Sequence, residues 1–144
     1  MKRYVVGFPA STYYVLLIKK NRPNWQKGKY NGIGGHIEKS EKPIDAMVRE
    51  CEEETGLHIS KEKWEKIVIY KGKGYIVHFY VSTTARIGEA IQKTDEELTA
   101  FNIQEGLPRG MITGRDMIYN LNWLLPLAYD GAIKFPIKVE EKAR

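Results

Sequence analysis

The feature that most constrains this chain is the acidic stretch of residues 35–57, in which carboxylates recur at fixed spacings around one predicted helix. Pro43 suits the first turn of a helix, where its missing N–H costs nothing, and Gly56 is typical of the position just past a helix end. Between them, apolar residues recur at i, i+3, i+4 and i+7, which predicts a helix over residues 43–55 with one face on a core. That face consists of Ile44, Met47, Val48 and Cys51. We therefore interpret Cys51 as a core residue rather than a nucleophile.

A second side of the same helix carries three carboxylates, Glu50, Glu53 and Glu54, which the i, i+3, i+4 spacing brings together. Carboxylates held this closely raise one another's pKa unless a cation lies between them. Hard oxygen ligands in this number suit Mg²⁺ or Mn²⁺ beside a phosphate. Arg49 lies four residues before Glu53, so it can hold that carboxylate in one orientation. A solvated acidic helix face is the simpler alternative, and it is the interpretation we give to Glu52.

The order of these residues resembles the Nudix box: Gly, five residues, Glu, seven residues, Arg-Glu, an apolar residue, any residue, Glu-Glu, any residue, Gly and an apolar residue. The positions that this pattern fixes by identity are all met, at Gly35, Glu41, Arg49, Glu50, Glu53, Glu54 and Gly56. The resemblance implies a Nudix-type α/β/α sandwich with a mixed central sheet. It also implies metal-dependent hydrolysis of a nucleoside diphosphate linked to another group, with the carbonyl of Gly35 facing the metal beside the three helix carboxylates. Arg49 and Glu41 would then be orienting residues.

Length and composition indicate one domain over residues 1–144, with roughly 70% of the unfolded surface buried. The 42% hydrophobic and 28% charged content is ordinary for a globular protein. One cysteine excludes an internal disulfide and favours a cytoplasmic location. We expect no membrane span, because no window reaches 18 apolar residues. The net charge of +5 is modest, so nucleic acid is not the expected partner.

Strand and helix patterns surround the acidic stretch. Strands are predicted over residues 4–8, 13–19, 65–70, 75–82 and 98–103. Asp116 is expected to open a second helix, which Pro126 should kink or restart. The apolar side of that helix would consist of Met117, Ile118, Leu121, Leu124 and Leu125. Strands and two helices in this order predict mixed sheets between helices. The strand edges and the apolar segment 132–139 could pair across a homodimer.

Residues before the box indicate where a nucleotide would bind. The segment 29–35, Lys-Tyr-Asn-Gly-Ile-Gly-Gly, resembles the sequence entering the box in Nudix enzymes that hydrolyse oxidised purine nucleoside triphosphates. This resemblance implies that Asn31 touches the base, although Asn before Gly also favours a simple turn. Lys19, Lys20 and Arg22 follow a predicted strand and are candidates for phosphate contact, with solvated side chains as the alternative.

Three further residues are candidates for the site. Trp25 lies on a polar loop, where it could stack on a base or fold over the core. Asn120 occupies the region where the resembling purine enzymes place base-reading groups, although in those enzymes the groups include carboxylates. Glu96 stands where many family members supply a further metal ligand or general base from a loop, with Glu97 as the second choice. A solvated charge run is the alternative for both.

These residues predict a Mg²⁺-dependent hydrolase that cleaves a (deoxy)nucleoside triphosphate, with an oxidised purine nucleotide as one favoured substrate. Water would attack phosphorus, and Glu53 or Glu96 would remove its proton. ADP-ribose and dinucleoside polyphosphates are the alternative substrates. Tyr75 lies near where hydrolases of dinucleoside polyphosphates tend to carry a tyrosine, but a tyrosine in a β-hairpin is commonplace, so it does not favour that substrate. The alternative of another class is a non-catalytic nucleotide- or RNA-binding Nudix module, against which the complete box argues. No serine nucleophile elbow, CxxC pair or P-loop occurs.

Overall fold

A computed structural model describes residues 1–104, 107–108 and 116–143, and these form nine strands and two α-helices. The strands are β1 (Lys2–Pro9), β2 (Tyr14–Lys19), β3 (Tyr30–Asn31), β4 (Ile33–His36), β5 (Glu65–Gly72), β6 (Tyr75–Ser82), β7 (Leu98–Gln104), β8 (Leu107–Pro108) and β9 (Ile137–Glu140). The helices are α1 (Pro43–Thr55) and α2 (Leu121–Ala128).

The strands form two sheets, with the orders β4-β1-β6-β5-β9 and β3-β2-β7-β8. In the first sheet β1 runs parallel to β6 and β9 runs parallel to β5, whereas β4 and the β5–β6 hairpin pair antiparallel. The second sheet is antiparallel throughout. The mixed sheet and the two helices confirm the predicted Nudix-type architecture.

The two helices pack against separate cores. Val15 and Leu17 of β2 point into a core shared with α2, whereas Leu16 and Ile18 point into a core shared with α1. All four are buried, because a strand covered on both faces shows a continuous apolar run instead of an alternating one. The sheets therefore lie between α1 and α2. In this arrangement one side of α1 and the loops around it face solvent.

The second helix begins later than predicted. The Tyr30 N–H donates to the carbonyl of Asp116 at 2.6 Å, and the Ile118 N–H donates to the carbonyl of Tyr30 at 3.0 Å. These bonds hold residues 116–118 beside β3 in an extended form, so α2 starts only at Leu121 and the prediction that Asp116 opens it is wrong. Pro126 does not end or restart the helix either, since α2 continues through it to Ala128.

The C-terminal segment pairs inside the chain. β9 runs along β5, with Ile137 beside Val68, and the hydroxyls of Tyr70 and Tyr75 both donate to Glu141 Oε2, at 3.0 and 2.6 Å. This internal use of residues 137–140 was not predicted, and pairing across a homodimer stays a prediction. No helix in the described part of the chain is both long and apolar enough to cross a bilayer.

Candidate functional site

Helix α1 carries the box residues, and its bounds match the predicted ones. Pro43 occupies the first turn, and Gly56 adopts a left-handed conformation with φ of 74° and donates its N–H to the carbonyl of Glu52 at 2.9 Å. Of the predicted apolar face, Met47 and Cys51 are fully buried, while Ile44 and Val48 are partly buried against the same core. Burial raises the pKa of the Cys51 thiol to about 11, which fits its interpretation as a core residue.

Arg49, in the middle of α1, is the centre of an ion-pair network that joins the helix to the loop before it. Its Nε and Nη2 atoms both donate to the Glu41 carboxylate at 2.9 Å, and its Nη1 donates to Glu50 Oε1 at 3.0 Å. Nη2 also donates to the carbonyl of His36 at 3.0 Å. The contact with Glu53, which the sequence favoured, is longer, at 3.3 Å. Arg49 therefore clamps the loop onto the helix mainly through Glu41.

The Arg49–Glu41 pair also sets the charge state of the loop. The Arg49 guanidinium holds the pKa of the Glu41 carboxyl below its usual range, and Glu41 in turn raises the pKa of Arg49. Glu41 Oε1 additionally accepts the Glu38 N–H at 3.0 Å, which closes the turn before the helix. A bidentate pair of this kind fixes orientation as well as charge. The spacing of eight residues between Glu41 and Arg49 did not predict this bidentate pair, because the pair forms only when the loop folds back onto the helix.

Glu54 differs from the other box carboxylates because it is buried. Its side chain is 9% exposed, and Oε2 has no hydrogen-bond partner among the residues that the structure describes. Burial raises the pKa of Glu54 well above its usual range, Lys20 opposes this shift, and Glu50 and Glu96 add to it. Our interpretation of Glu54 as sharing one helix side with Glu50 and Glu53 is therefore incomplete. Seven residues after Met47, Glu54 continues the buried stripe, a signal that the sequence contained.

Gly35 lies on β4 opposite Val5 of β1, directly beside the helix carboxylates. A Cβ atom at this position would lie 2.6 Å from Glu50 Oε1, so any larger residue would displace that carboxylate. At Gly34 a Cβ would collide with the backbone carbonyl of Val5. The paired glycines thus let β4 backbone and a Glu50 carboxylate approach each other closely.

Glu96 also reaches the box, from the loop before β7. It is 6% exposed, and its two carboxylate oxygens accept bonds from Lys20 Nζ at 3.0 Å and from the Asn21 N–H at 2.6 Å. Lys19 and Arg22, by contrast, are exposed, and Arg22 pairs with the equally exposed Asp95 at 2.6 Å. Of the three predicted phosphate contacts, only Lys20 turns towards the box.

The predicted nucleotide-binding residues lie on neighbouring segments. Asn31 Nδ2 donates to Gln26 Oε1 at 3.1 Å, and its Oδ1 accepts the Gly32 N–H at 2.7 Å, so the side chain supports the local turn. Trp25, next to Gln26 on the loop before β3, is 66% exposed. Asn120 precedes α2, and the bonds between Tyr30 and residues 116–118 hold this part of the chain beside β3. Asn120 Oδ1 is buried, and no described residue forms a hydrogen bond with it.

Sequence reasoning missed Tyr119, whose ring is 78% exposed next to Asn120. In the sequence, a tyrosine before an apolar helix is equally compatible with a core position. Only its exposure in the structure shows that Tyr119 is a surface residue. An open cavity of about 740 Å³ also lies along the outer side of α1, next to Glu53. It is lined by Asp45, Val48, Arg49, Glu52, Glu53, His58, Ser60, Lys61, Glu62 and Lys93.

A sequence model of the NUDIX domain matches residues 3–119, most of the chain. The chain belongs to the Nudix family. The matched range contains the complete box and every predicted site residue except Asn120. None of the curated proteins matches the sequence.

Solved structures share the Nudix fold. A MutT/nudix family protein from Enterococcus faecalis superposes with a TM-score of 0.61 at 21% identity, over 70% of this chain and 43% of that one. A NUDIX family hydrolase from Clostridium perfringens gives 0.57 at 24% identity, over 69% and 79%. A NUDIX hydrolase from Nitrosomonas europaea gives 0.64 at 16% identity, over 97% and 79%. This chain thus spans less than half the length of the Enterococcus protein, and at these identities the likeness concerns the fold.

The Nudix box implies a divalent metal ion, and the donors present fit one. Glu54 brings a buried oxygen to which no residue in the described ranges donates, and the absence of a Cβ at Gly35 leaves room for the Glu50 carboxylate against the backbone. These are hard oxygen donors, the type that Mg²⁺ and Mn²⁺ prefer. Within the described ranges no three His, Cys, Asp or Glu side chains are already gathered as a metal-binding group, and Glu50 is paired with Arg49.

Proposed function

We propose that this Nudix chain is a Mg²⁺-dependent hydrolase that cleaves a (deoxy)nucleoside triphosphate to the monophosphate and pyrophosphate. The observation that carries the proposal is the meeting of Gly35, Glu50 and the buried Glu54 beside the Arg49 network. Carboxylates gathered and buried this closely are costly, and a function that supplies a further cation accounts for them. A metal bound there would neutralise substrate phosphates and lower the pKa of the attacking water.

The chain's own residues then divide into two roles. Gly35, Glu50, Glu53 and Glu54 would hold Mg²⁺ or Mn²⁺, and Arg49 and Glu41 would keep the loop and helix in register. Glu53 is 57% exposed at the edge of the cavity, so its carboxylate can reach a water molecule or a substrate in solvent. Glu53 and Glu96 are both candidates for the general base.

A nucleotide base would lie beside Asn31. Trp25 is on the loop before Asn31, and Asn120 follows residues 116–118, which are bonded to Tyr30. The exposed Trp25 ring can stack on a base, and the unpaired Oδ1 of Asn120 can accept a hydrogen bond. Lys19 ends β2, and Lys20 and Arg22 follow it. The exposed Lys19 is available for phosphate, and Arg22 would exchange its exposed partner Asp95 for phosphate. An oxidised purine is the base that the Asn31 segment favours by resemblance.

The decisive variant is Glu53→Gln, which preserves shape and removes one charge. We expect turnover to fall by about 10³ or more, because a metal-bound carboxylate and a base cannot be replaced by an amide. Glu52→Gln is the matched control, since Glu52 is the next residue and is equally exposed but pairs with His58. A Glu53→Gln protein that retained more than about a tenth of the activity would contradict the assignment.

The substrate is tested by product release from a panel, with Mg²⁺ and with chelator. The panel holds ordinary and oxidised nucleoside triphosphates, ADP-ribose and diadenosine polyphosphates. We expect metal-dependent pyrophosphate release from a triphosphate, and Asn31→Ala and Asn120→Ala should raise KM more than they lower kcat. Release of AMP from ADP-ribose would replace the proposed substrate, and tight nucleotide binding without any product would favour a binding module.

A further inference from the structure

Glu96 is held more firmly than a loop carboxylate needs to be. Its side chain is 7% exposed, and both of its oxygens accept bonds, from Lys20 Nζ and from the Asn21 N–H. Its own N–H donates to Thr94 Oγ1 at 3.2 Å, which fixes the backbone of the turn. Solvated loop carboxylates lose conformational entropy for no gain when they are ordered in this way. The arrangement therefore indicates that the direction of Glu96 matters.

Lys20 is the side chain that fixes this direction, and its own position is set by the backbone. Its N–H donates to the carbonyl of Lys29 and its carbonyl accepts the Gly28 N–H, both at 2.8 Å. The Lys20 side chain is only 18% exposed, whereas the neighbouring Lys19 is exposed. An ammonium held between two chain segments has little freedom to move to another partner.

The loop that carries Glu96 is bonded to the end of α1, because the Ile91 N–H donates to the carbonyl of Thr55 at 2.9 Å. The Lys20 ammonium contacts Glu96 Oε1 at 3.0 Å from the other side of that loop's path. Transferring it to a substrate phosphate would leave Glu96 buried, charged and short of a donor. Breaking one partner of such a pair is costly, because the other charge stays uncompensated.

We propose that Lys20 is a positioning residue, which holds Glu96 beside the carboxylates of α1, and that it does not act as a phosphate contact. This inference rests on the proposed function and replaces the phosphate-binding role that the sequence suggested for Lys20. It predicts that Lys20 influences turnover through Glu96 and leaves nucleotide affinity almost unchanged.

The first test is independent of turnover and uses metal-free protein with ¹⁵N-labelled lysine. Lys20→Arg assigns the ammonium resonance of Lys20. We expect that resonance to be visible in the wild type because the ion pair slows exchange, to vanish in Glu96→Gln, and to persist when α,β-methylene dGTP is added. Its survival in Glu96→Gln, or its loss on adding the nucleotide analogue, would overturn the proposal.

The second test separates kcat from KM. Lys20→Met should lower kcat about tenfold and change KM less than threefold, and Lys20→Arg should recover part of the loss. In a Glu96→Gln background, Lys20→Met should add less than twofold, because both substitutions disable the same carboxylate. Lys73→Met, an exposed lysine in the β5–β6 turn, is the control for loss of charge alone.

The opposite kinetic result is equally clear. A rise in KM of tenfold or more with kcat unchanged, or the full loss in the Glu96→Gln background, would make Lys20 a phosphate contact. If the wild type releases no product from any nucleotide, the proposed function fails. The ammonium resonance then still decides whether Lys20 is held by Glu96 or binds phosphate.

Discussion

The two helices of this fold differ in what surrounds their polar groups. Around α1, Arg49 makes charge-assisted bonds to Glu41 and Glu50, and the helix faces a cavity open to solvent. Around α2, the buried oxygens of Asn120 and Asn122 and the hydroxyl of Tyr129 have no hydrogen-bond partner within the described residues. Among the described residues, Arg49, Glu41 and Glu50 around α1 are thus paired with one another, whereas these three groups around α2 are not.

This contrast predicts a division of labour. Substitutions around α1 should reduce activity more than stability, because its polar network orients groups that are partly exposed. Substitutions of the apolar residues of α2 should reduce stability more than activity, because these residues form a tightly packed face. The predictions below test this division from the largest expected effect to the smallest.

The largest effect is expected for Leu124→Ala in α2. Leu124 is fully buried, and removing it leaves a cavity that costs about 2–5 kcal/mol in the free energy of unfolding. Denaturant unfolding measures the loss, and Leu127→Ala is the control, since Leu127 is only partly buried and should cost less. Folded Leu124→Ala protein should keep its turnover number. A large loss of turnover without unfolding would show that α2 carries chemistry.

On the α1 side, Glu41→Gln should lower turnover by about 10- to 100-fold, because a neutral amide cannot hold the Arg49 fork in a bidentate pair. The free energy of unfolding should fall by only about 1 kcal/mol. Steady-state kinetics and denaturant unfolding on the same sample give both numbers. If stability falls as far as in Leu124→Ala, the network is structural and the division is wrong.

His78 on β6 tests a titratable group whose buried Nδ1 has no hydrogen-bond partner in the described part of the chain. Burial, with help from Lys66 and Arg3, lowers the pKa of His78 from 6.5 to about 4. Between those pH values the unfolded chain binds a proton that the native protein does not, so stability falls as the pH drops from about 6.5 to 4. Because His78 is half-buried, we expect it to account for about 1–2 kcal/mol of that fall. Thermal unfolding of His78→Gln across this range should show a shallower pH dependence, and an identical slope would contradict the assignment.

The smallest effect is expected for Tyr129→Phe at the end of α2. Its buried hydroxyl has no partner within the described residues, so removing the oxygen relieves a desolvation cost. The free energy of unfolding should rise by about 0.5 kcal/mol, measurable as a small increase in Tm. A decrease of more than about 1 kcal/mol would mean that the hydroxyl is satisfied in solution, which would weaken the contrast between the two sides.

The amino-acid sequence by itself determined helix α1 and the carboxylates, arginine and glycines of the box. Pro43, Gly56 and the i, i+3, i+4 apolar period are each local signals, so the helix bounds could be predicted from the sequence and match the structure. The seven identity positions of the box are also a linear pattern, which is why the family could be recognised before any contact was known. Even the burial of Glu54 follows from its place seven residues after Met47.

Only the tertiary structure decided the rest. α2 starts at Leu121 because Tyr30, some ninety residues earlier in the chain, takes the backbone bonds of residues 116–118. Lys20 and Glu96 are 76 residues apart, and nothing near either of them in sequence indicates the ion pair that joins them. Local propensities extend over about one helical turn, whereas such contacts depend on the path of the whole chain. The helix that carries the box is thus encoded locally, and the carboxylate that the loop adds to it is positioned by the fold.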